Sequence, residues 1–160
     1  MTSETVYIGG SQAPHEIEVR PITVLFGMRS TDAPIVHPRH PIYQISRLPE
    51  KGLHPEEQAE LGCRFARAAG EVGDQVIETT SHLLIMRIMR LVRDGVLTTD
   101  EVIMHHVNPK AAQITTLHVT DTGKFDKPVL DSFFDQDIEE IFGIRLTAEK
   151  VFGGAENLPE

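Results

Sequence analysis

Residues 22–36, ITVLFGMRSTDAPIV, carry the first hint of chemistry. A β-branched strand runs into Phe26-Gly27, where a loop of backbone amides could begin to cradle phosphate, yet no Gly-Lys-Ser follows. Without that lysine, a core strand leading into a surface loop is the better reading. Glu78 ends a second strand-like segment, DQVIETTS, at the strand end where α/β sheets place ligands, although a lone acid there also serves as a structural carboxylate. His37 and His40 form an H-x-x-H pair that could supply two metal ligands only if others, such as His54 or Glu50, joined them. His105 and His106 are neighbours in a strand-like run, so they point to opposite faces and cannot easily share one ion. The default for these histidines is solvated loop positions, and no metal is expected. Arg64, Arg67, Arg87, Arg90 and Arg93 could form a basic stripe, or a solvated helix surface. Cys63, between Leu61 and Phe65, reads as a small buried hydrophobe.

Whole-chain properties narrow the choice. A chain of 160 residues buries about 70% of its unfolded surface in one core. Its 15 basic and 24 acidic residues leave a net charge of −9, which argues against a free-standing nucleic-acid binder. The single cysteine fits a reducing compartment. The N-terminal MTSETVYIGG lacks the basic and apolar regions of a signal peptide. The most apolar run, LLIMRIMRLV, is too short and too rich in arginine to span a bilayer. The expectation is a cytoplasmic protein with no membrane segment.

The elements that must position these groups follow from pattern. HEIEVRPITVLFG alternates, with Ile17, Val19, Ile22, Val24 and Phe26 as core positions and a break at Pro21. Residues 28–41 hold three prolines and read as a loop, and PIYQISRL as a short strand. HPEEQAELGCRFARAAG predicts a helix that opens on Pro55 and two glutamates, faces the core with Leu61, Phe65 and Ala69, and stops at Gly70. Ser81 caps a second helix, whose Leu84, Ile88, Leu91 and Val92 face the core and which Gly95 ends. DEVIMHHVN and AQITTLHVT predict two strands, joined as a hairpin across PKAA or in a meander, and Gly123 marks a turn. VLDSFFDQDIEEIFG reads as a short amphipathic helix or irregular tail. This order predicts an α/β fold with a mostly parallel sheet, packed helices and a C-terminal strand meander.

Three of these pieces, in order, resemble the nucleotide-binding core of ABC/SMC-like AAA ATPases, most of all the overcoming-lysogeny type and related single-chain bacterial ATPases. IEVRPITVLFG resembles the strand that delivers the phosphate loop. LPEKGLHPEEQAEL resembles the exit from the Walker B strand, Pro-Glu-x-x-Leu-His-Pro followed by x-x-Gln-Ala. QVIETTSHLLIMRIMRLVRDGVLTTDEV resembles the strand ending Glu-Thr-His-Ser with its leucine-rich helix. FFDQDIEEIFG is similar to the tail of a related group, and together the matches cover about three quarters of the chain. The resemblance implies a partial P-loop NTPase core in which the segments around Phe26, Ile45 and Ile77 lie side by side in one sheet.

It also implies what is missing. The phosphate-gripping Gly-Lys-Ser falls on Asp32, Ala33 and Pro34, so the lysine and the hydroxyl are gone. The two Walker B acids fall on Arg47 and Leu48, and the γ-phosphate-sensing histidine on Thr80. Between Gly27 and Arg47 there is no room for the family's helical lobe or signature motif. Glu50 and His54 occupy a segment that in the family contacts the opposite protomer, making them interface candidates. The implied protein is a single truncated ABC-ATPase-like domain over 1–150 with a flexible tail over 151–160. It has no catalytic residues and no cofactor, and acts as a protein-interaction or regulatory subunit, as a homo-oligomer or on a larger partner. By family resemblance alone, the context is bacterial defence or DNA maintenance. The alternative is an ATP-binding subunit whose weak site a partner completes in trans.

Overall fold

Strand β3 (Ile22–Phe26) is the centre of the molecule, with all five residues buried. The computed structural model describes residues 2–8, 13–28, 44–129 and 147–148. The elements below belong to the first of two units, Met1–Val129, the second being Leu130–Glu160. β4 (Gln44–Arg47), β5 (Gln75–Glu78), β6 (Val102–Asn108) and β7 (Gln113–Leu117) complete a five-stranded sheet in the order β4-β5-β3-β6-β7. The first four strands are parallel and β7 runs antiparallel to β6. The segments around Phe26, Ile45 and Ile77 therefore do lie side by side.

The helices cover one face. α1 (Pro55–Val72) links β4 to β5, and α2 (His82–Arg93) links β5 to β6. Both crossovers progress in the same direction across the sheet, so right-handed connections place both helices on the same side. There Leu61 and Phe65 of α1, and Leu84, Ile85, Ile88 and Val92 of α2, are buried. Gly62 lets the helices approach closely, since a Cβ on it would lie 2.8 Å from Arg87 Cγ and 3.3 Å from the Leu84 carbonyl oxygen. Ser81 caps α2 as expected, its Oγ accepting from the Leu84 amide at 3.2 Å. Two positions differ from the periodic reading: Ile85 is fully buried and Leu91 only half-buried. α1 also runs past Gly70 to Val72, because Gly70 sits in open space at a helical angle. The left-handed φ of 104° falls at Gly73 instead.

The other face is covered by a separate antiparallel pair, β1 (Thr2–Val6) and β2 (His15–Val19). Val6, Ile8, Ile17 and Val19 pack with Leu25, Met28, Val76 and Val107. Covering both faces explains why β3 is not the alternating strand its sequence suggested: Thr23 and Leu25 are as buried as Ile22, Val24 and Phe26. Pro21 does separate β2 from β3, and the two strands belong to different sheets.

β6 and β7 form the hairpin across residues 109–112, where Asn108 Oδ1 accepts from the amides of Lys110 (3.1 Å) and Ala111 (3.2 Å). His105 and His106 are both buried, on opposite faces. His105 lies on the β1–β2 side, with Nε2 2.8 Å from the Glu18 carbonyl and Nδ1 3.1 Å from Thr116 Oγ1. The carbonyl can only accept, so Nε2 carries the proton and Nδ1 accepts from the threonine hydroxyl. His106 lies edge-on to Phe26 at 5.3 Å on the helix side.

Two outcomes follow. Leu84→Ala or Ile88→Ala costs about 2–5 kcal/mol in denaturant unfolding, as truncation in a filled core does; a neutral result would turn α2 inside out. Burial depresses the imidazole pKa of His105, against the opposing pull of the Glu18 carbonyl and carboxylate. The unfolded chain therefore takes up a proton below about pH 6.5 while the native state resists it. Stability is full above that pH and falls as pH drops, by up to about 1.4 kcal/mol per pH unit from this group. His105→Gln flattens the difference between melts at about pH 7.5 and 5.5; an unchanged pH dependence would remove His105 as its source.

Candidate functional site

At the carboxyl edge of the parallel strands, where open α/β sheets bind ligands, β3, β4 and β5 deliver Gly27, Arg47 and Glu78. Gly27 adopts φ 98°, and a Cβ there would lie 2.5 Å from the Val107 carbonyl oxygen and 2.7 Å from His106 Nε2. Only glycine lets the chain leave β3 pressed against β6. The next residue, Met28, turns into the apolar cluster beneath β1 and β2. Asp32, Ala33 and Pro34, with His37 and His40, lie outside the described residues.

Arg47 turns inward. Its Nε sits 3.4 Å from Glu78 Oε2, the arginine side chain one-third exposed and the glutamate 1% exposed. Register explains the meeting, because Arg47 and Glu78 are direct partners across β4 and β5. The backbone reinforces it: the Leu48 amide donates to the Glu78 carbonyl at 2.8 Å. Leu48 itself holds φ 49°, a left-handed conformation that costs a branched residue about 1–2 kcal/mol. The turn so formed presents Glu50 to the start of α2.

Glu50 is 7% exposed. Its Oε1 accepts from the Thr80 amide at 2.7 Å and the Thr80 hydroxyl at 2.9 Å, while Oε2 is buried without a hydrogen-bond partner. A parallel link runs from Ser81 Oγ to Gln58 Oε1 at 2.8 Å, and Gln58 Nε2 donates to the Leu53 carbonyl at 3.0 Å. The segment after β4 is thus clasped to the β5–α2 junction at two points. His54 stands exposed ahead of α1, its amide donating to Glu57 Oε2 at 2.9 Å.

Of the residues the sequence singled out, the fold brings Arg47 to Glu78 and Glu50 to Thr80, with Leu48 forming the turn between. Glu50 faces its own chain, whereas His54 faces outward. Gln58 was not singled out as a site residue; its only signal was its place in the x-x-Gln-Ala stretch after Pro55. Four of the five helix arginines meet acids rather than forming a bare stripe. Arg67 and Arg87 reach Glu60 at 3.1 and 3.8 Å, and Arg90 and Arg93 reach Asp94 at 3.5 and 2.9 Å. Among the described residues, no group of three or more histidine, cysteine or acidic side chains is arranged to hold a metal ion.

Chemically, this corner turns its polar groups on one another, Arg47 on Glu78 and Thr80 on Glu50, and leaves Glu50 Oε2 buried without a partner. The Arg47 guanidinium is directed at Glu78, so the cation nearest these strand ends is engaged by the chain's own buried acid. No helix among the described residues is long and apolar enough to cross a membrane. The chain matches no protein-family model, curated protein or solved structure.

Removing one member of the ion pair isolates the other. Arg47→Met leaves Glu78 buried without its cation and costs about 2–4 kcal/mol, discounted because the arginine is partly solvated. The double variant Arg47→Met/Glu78→Met recovers most of that loss in the same denaturant titration. If the double variant is no more stable than Arg47→Met alone, the pair is not what holds the corner.

Proposed function

We propose that this chain is a degenerate, truncated relative of the ABC/SMC-like ATPases that neither grips nor hydrolyses ATP and acts through protein contacts. The observation that carries the reading is Arg47. It occupies the position where the resemblance expects a magnesium-organising acid, and it spends its charge on the chain's own Glu78. The adjacent position, Leu48, has no group that could polarise water, and Thr80, at the γ-phosphate-sensing position, is tied to Glu50. The arrangement of β4, β5 and β3 as parallel neighbours supports the descent, since the resemblance requires those segments to be adjacent.

A protein-contact role draws support from the sheet. Among the described residues β4 is the outermost strand on its side, with Gln44 and Arg47 exposed, and an open strand edge invites pairing. On this reading the protein works as a homodimer or as a subunit of a larger assembly, in a bacterial defence or DNA-maintenance setting implied by the resemblance alone. His54, exposed at the start of α1, is the better placed of the two interface candidates, because Glu50 is engaged within its own fold.

Thermal melts with Mg-ATP test the reading. Binding with a Kd near 10 μM would add about 2.7 kcal/mol at 1 mM nucleotide, a rise of roughly 5–10 °C. The expected shift is zero, both for the wild type and for Ala33→Lys, because Asp32, Pro34, Arg47 and Leu48 still differ from a working site. Micromolar ATP binding by either protein would overturn the proposal. Light scattering with and without Mg-ATP, expected to give one nucleotide-independent oligomeric mass, separates it from a site completed in trans.

A further inference from the structure

Away from the carboxyl ends of the strands, α1 and the end of α2 border an open pocket of about 250 Å³. Cys63, Ala66 and Arg67 line it from α1, at a spacing that places them on one side of the helix. Leu91, Val96 and Leu97 line it from α2 and the turn beyond. That turn is fixed in place, because the amides of Val96 and Leu97 both donate to the Leu91 carbonyl, at 2.9 and 3.1 Å. Helical backbone thus supplies four of the six lining residues and a hydrogen-bonded turn the other two. Val96 leaves an apolar side chain 65% exposed at the rim, the most exposed of the large hydrophobic residues among those described.

The lining is apolar except for one cation. Arg67 Nη2 donates to Glu60 Oε1 at 3.1 Å, with both side chains well exposed. That contact uses one of five guanidinium donors, and an exposed pair of this kind is easily shared with another anion. Arg87, outside the lining, donates from Nη1 to Cys63 Sγ at 3.3 Å and also approaches Glu60, so a second guanidinium stands beside the thiol. At about 30 Å³ for each small group, the space admits about eight non-hydrogen atoms.

We propose that this pocket is a binding site for a small carboxylate with an unbranched apolar chain, the chain lying between Ala66, Leu91 and Leu97 and the carboxylate meeting Arg67 at the rim. The site is separate from the strand ends and does not depend on the ATPase reading. Cys63 is the reporter, being the only cysteine of the chain and part of the wall.

The test titrates the full chain with octanoate, using octan-1-ol and octylamine as controls. It follows the rate of Cys63 alkylation by iodoacetamide and the methyl NMR signals of Leu91, Val96 and Leu97. Octanoate is expected to slow alkylation saturably and to shift those methyls, and octylamine to do neither. Arg67→Gln, at an exposed position, weakens octanoate by about tenfold, the loss of one charge-assisted contact, and leaves octan-1-ol unaffected. Ala66→Phe fills the space and removes octanoate binding. Unslowed alkylation with octanoate, equal binding of octylamine, or unchanged octanoate affinity in Arg67→Gln would each overturn the proposal, whether or not the Ala66→Phe variant folds.

Discussion

Strand β3 has no free side, and the rest of the structure follows from that. Its edges are taken by β5 and β6, one face by the helix layer and the other by the β1–β2 pair. Five consecutive residues then lose their water together, at about 25 cal/mol for each Å² of apolar surface buried. The one polar side chain among them, Thr23, is satisfied close by, accepting from the Arg20 amide at 2.9 Å and donating to the Arg20 carbonyl at 3.1 Å. Arg20 in turn fixes the crossing between the sheets by donating to the carbonyls of Thr99 and Val102. A strand enclosed this way cannot shift register by one residue without exchanging its two apolar faces, so Gly27 and the strand end are held in place.

That fixed strand end gives the polar corner its character. Charges at the carboxyl edge of a parallel sheet ordinarily wait for a ligand; here they are spent on one another. The ion pair across β4 and β5 and the Glu50 clasp on Thr80 involve residues brought together by the sheet, and each leaves an acid deeply buried. A buried carboxylate of this kind is costly to strip of its partner and contributes little net stability while paired. Such a corner specifies geometry more than it adds free energy.

Much of this was legible in the sequence, and the boundary is physical. α2 was readable because its cap, its 3.6-residue period and its terminal glycine all agree; the exchange of Leu91 for Ile85 is a small rotation of the buried stripe. The β6–β7 hairpin was readable from two strand-like runs around a four-residue turn. β1 was not, since TSETV has one apolar residue and pairs only because β2 and the cluster beneath it supply the rest. Gly70 and Gly73 are indistinguishable as stops without the backbone angle. The positions of Arg47, Glu78, Glu50 and Thr80 were singled out, but their pairing was not foreseeable: Glu50 and Thr80 are thirty residues apart, and no local spacing rule connects them.

The parallel pairing of β3 also sets a timetable for synthesis. Ile22 finds one neighbour in Gln75 and the other in Val102, eighty residues further along the chain. At a ribosomal rate of about 5–20 residues per second, the apolar run ITVLF emerges roughly 4–16 s before its second edge can be paired. During that interval the nascent chain carries a largely apolar, β-branched segment with little more than the β1–β2 hairpin to shield it. Sheets of this connectivity fold slowly for the same reason. In a cell, the step most in need of a holding chaperone falls between the emergence of β3 and that of β6.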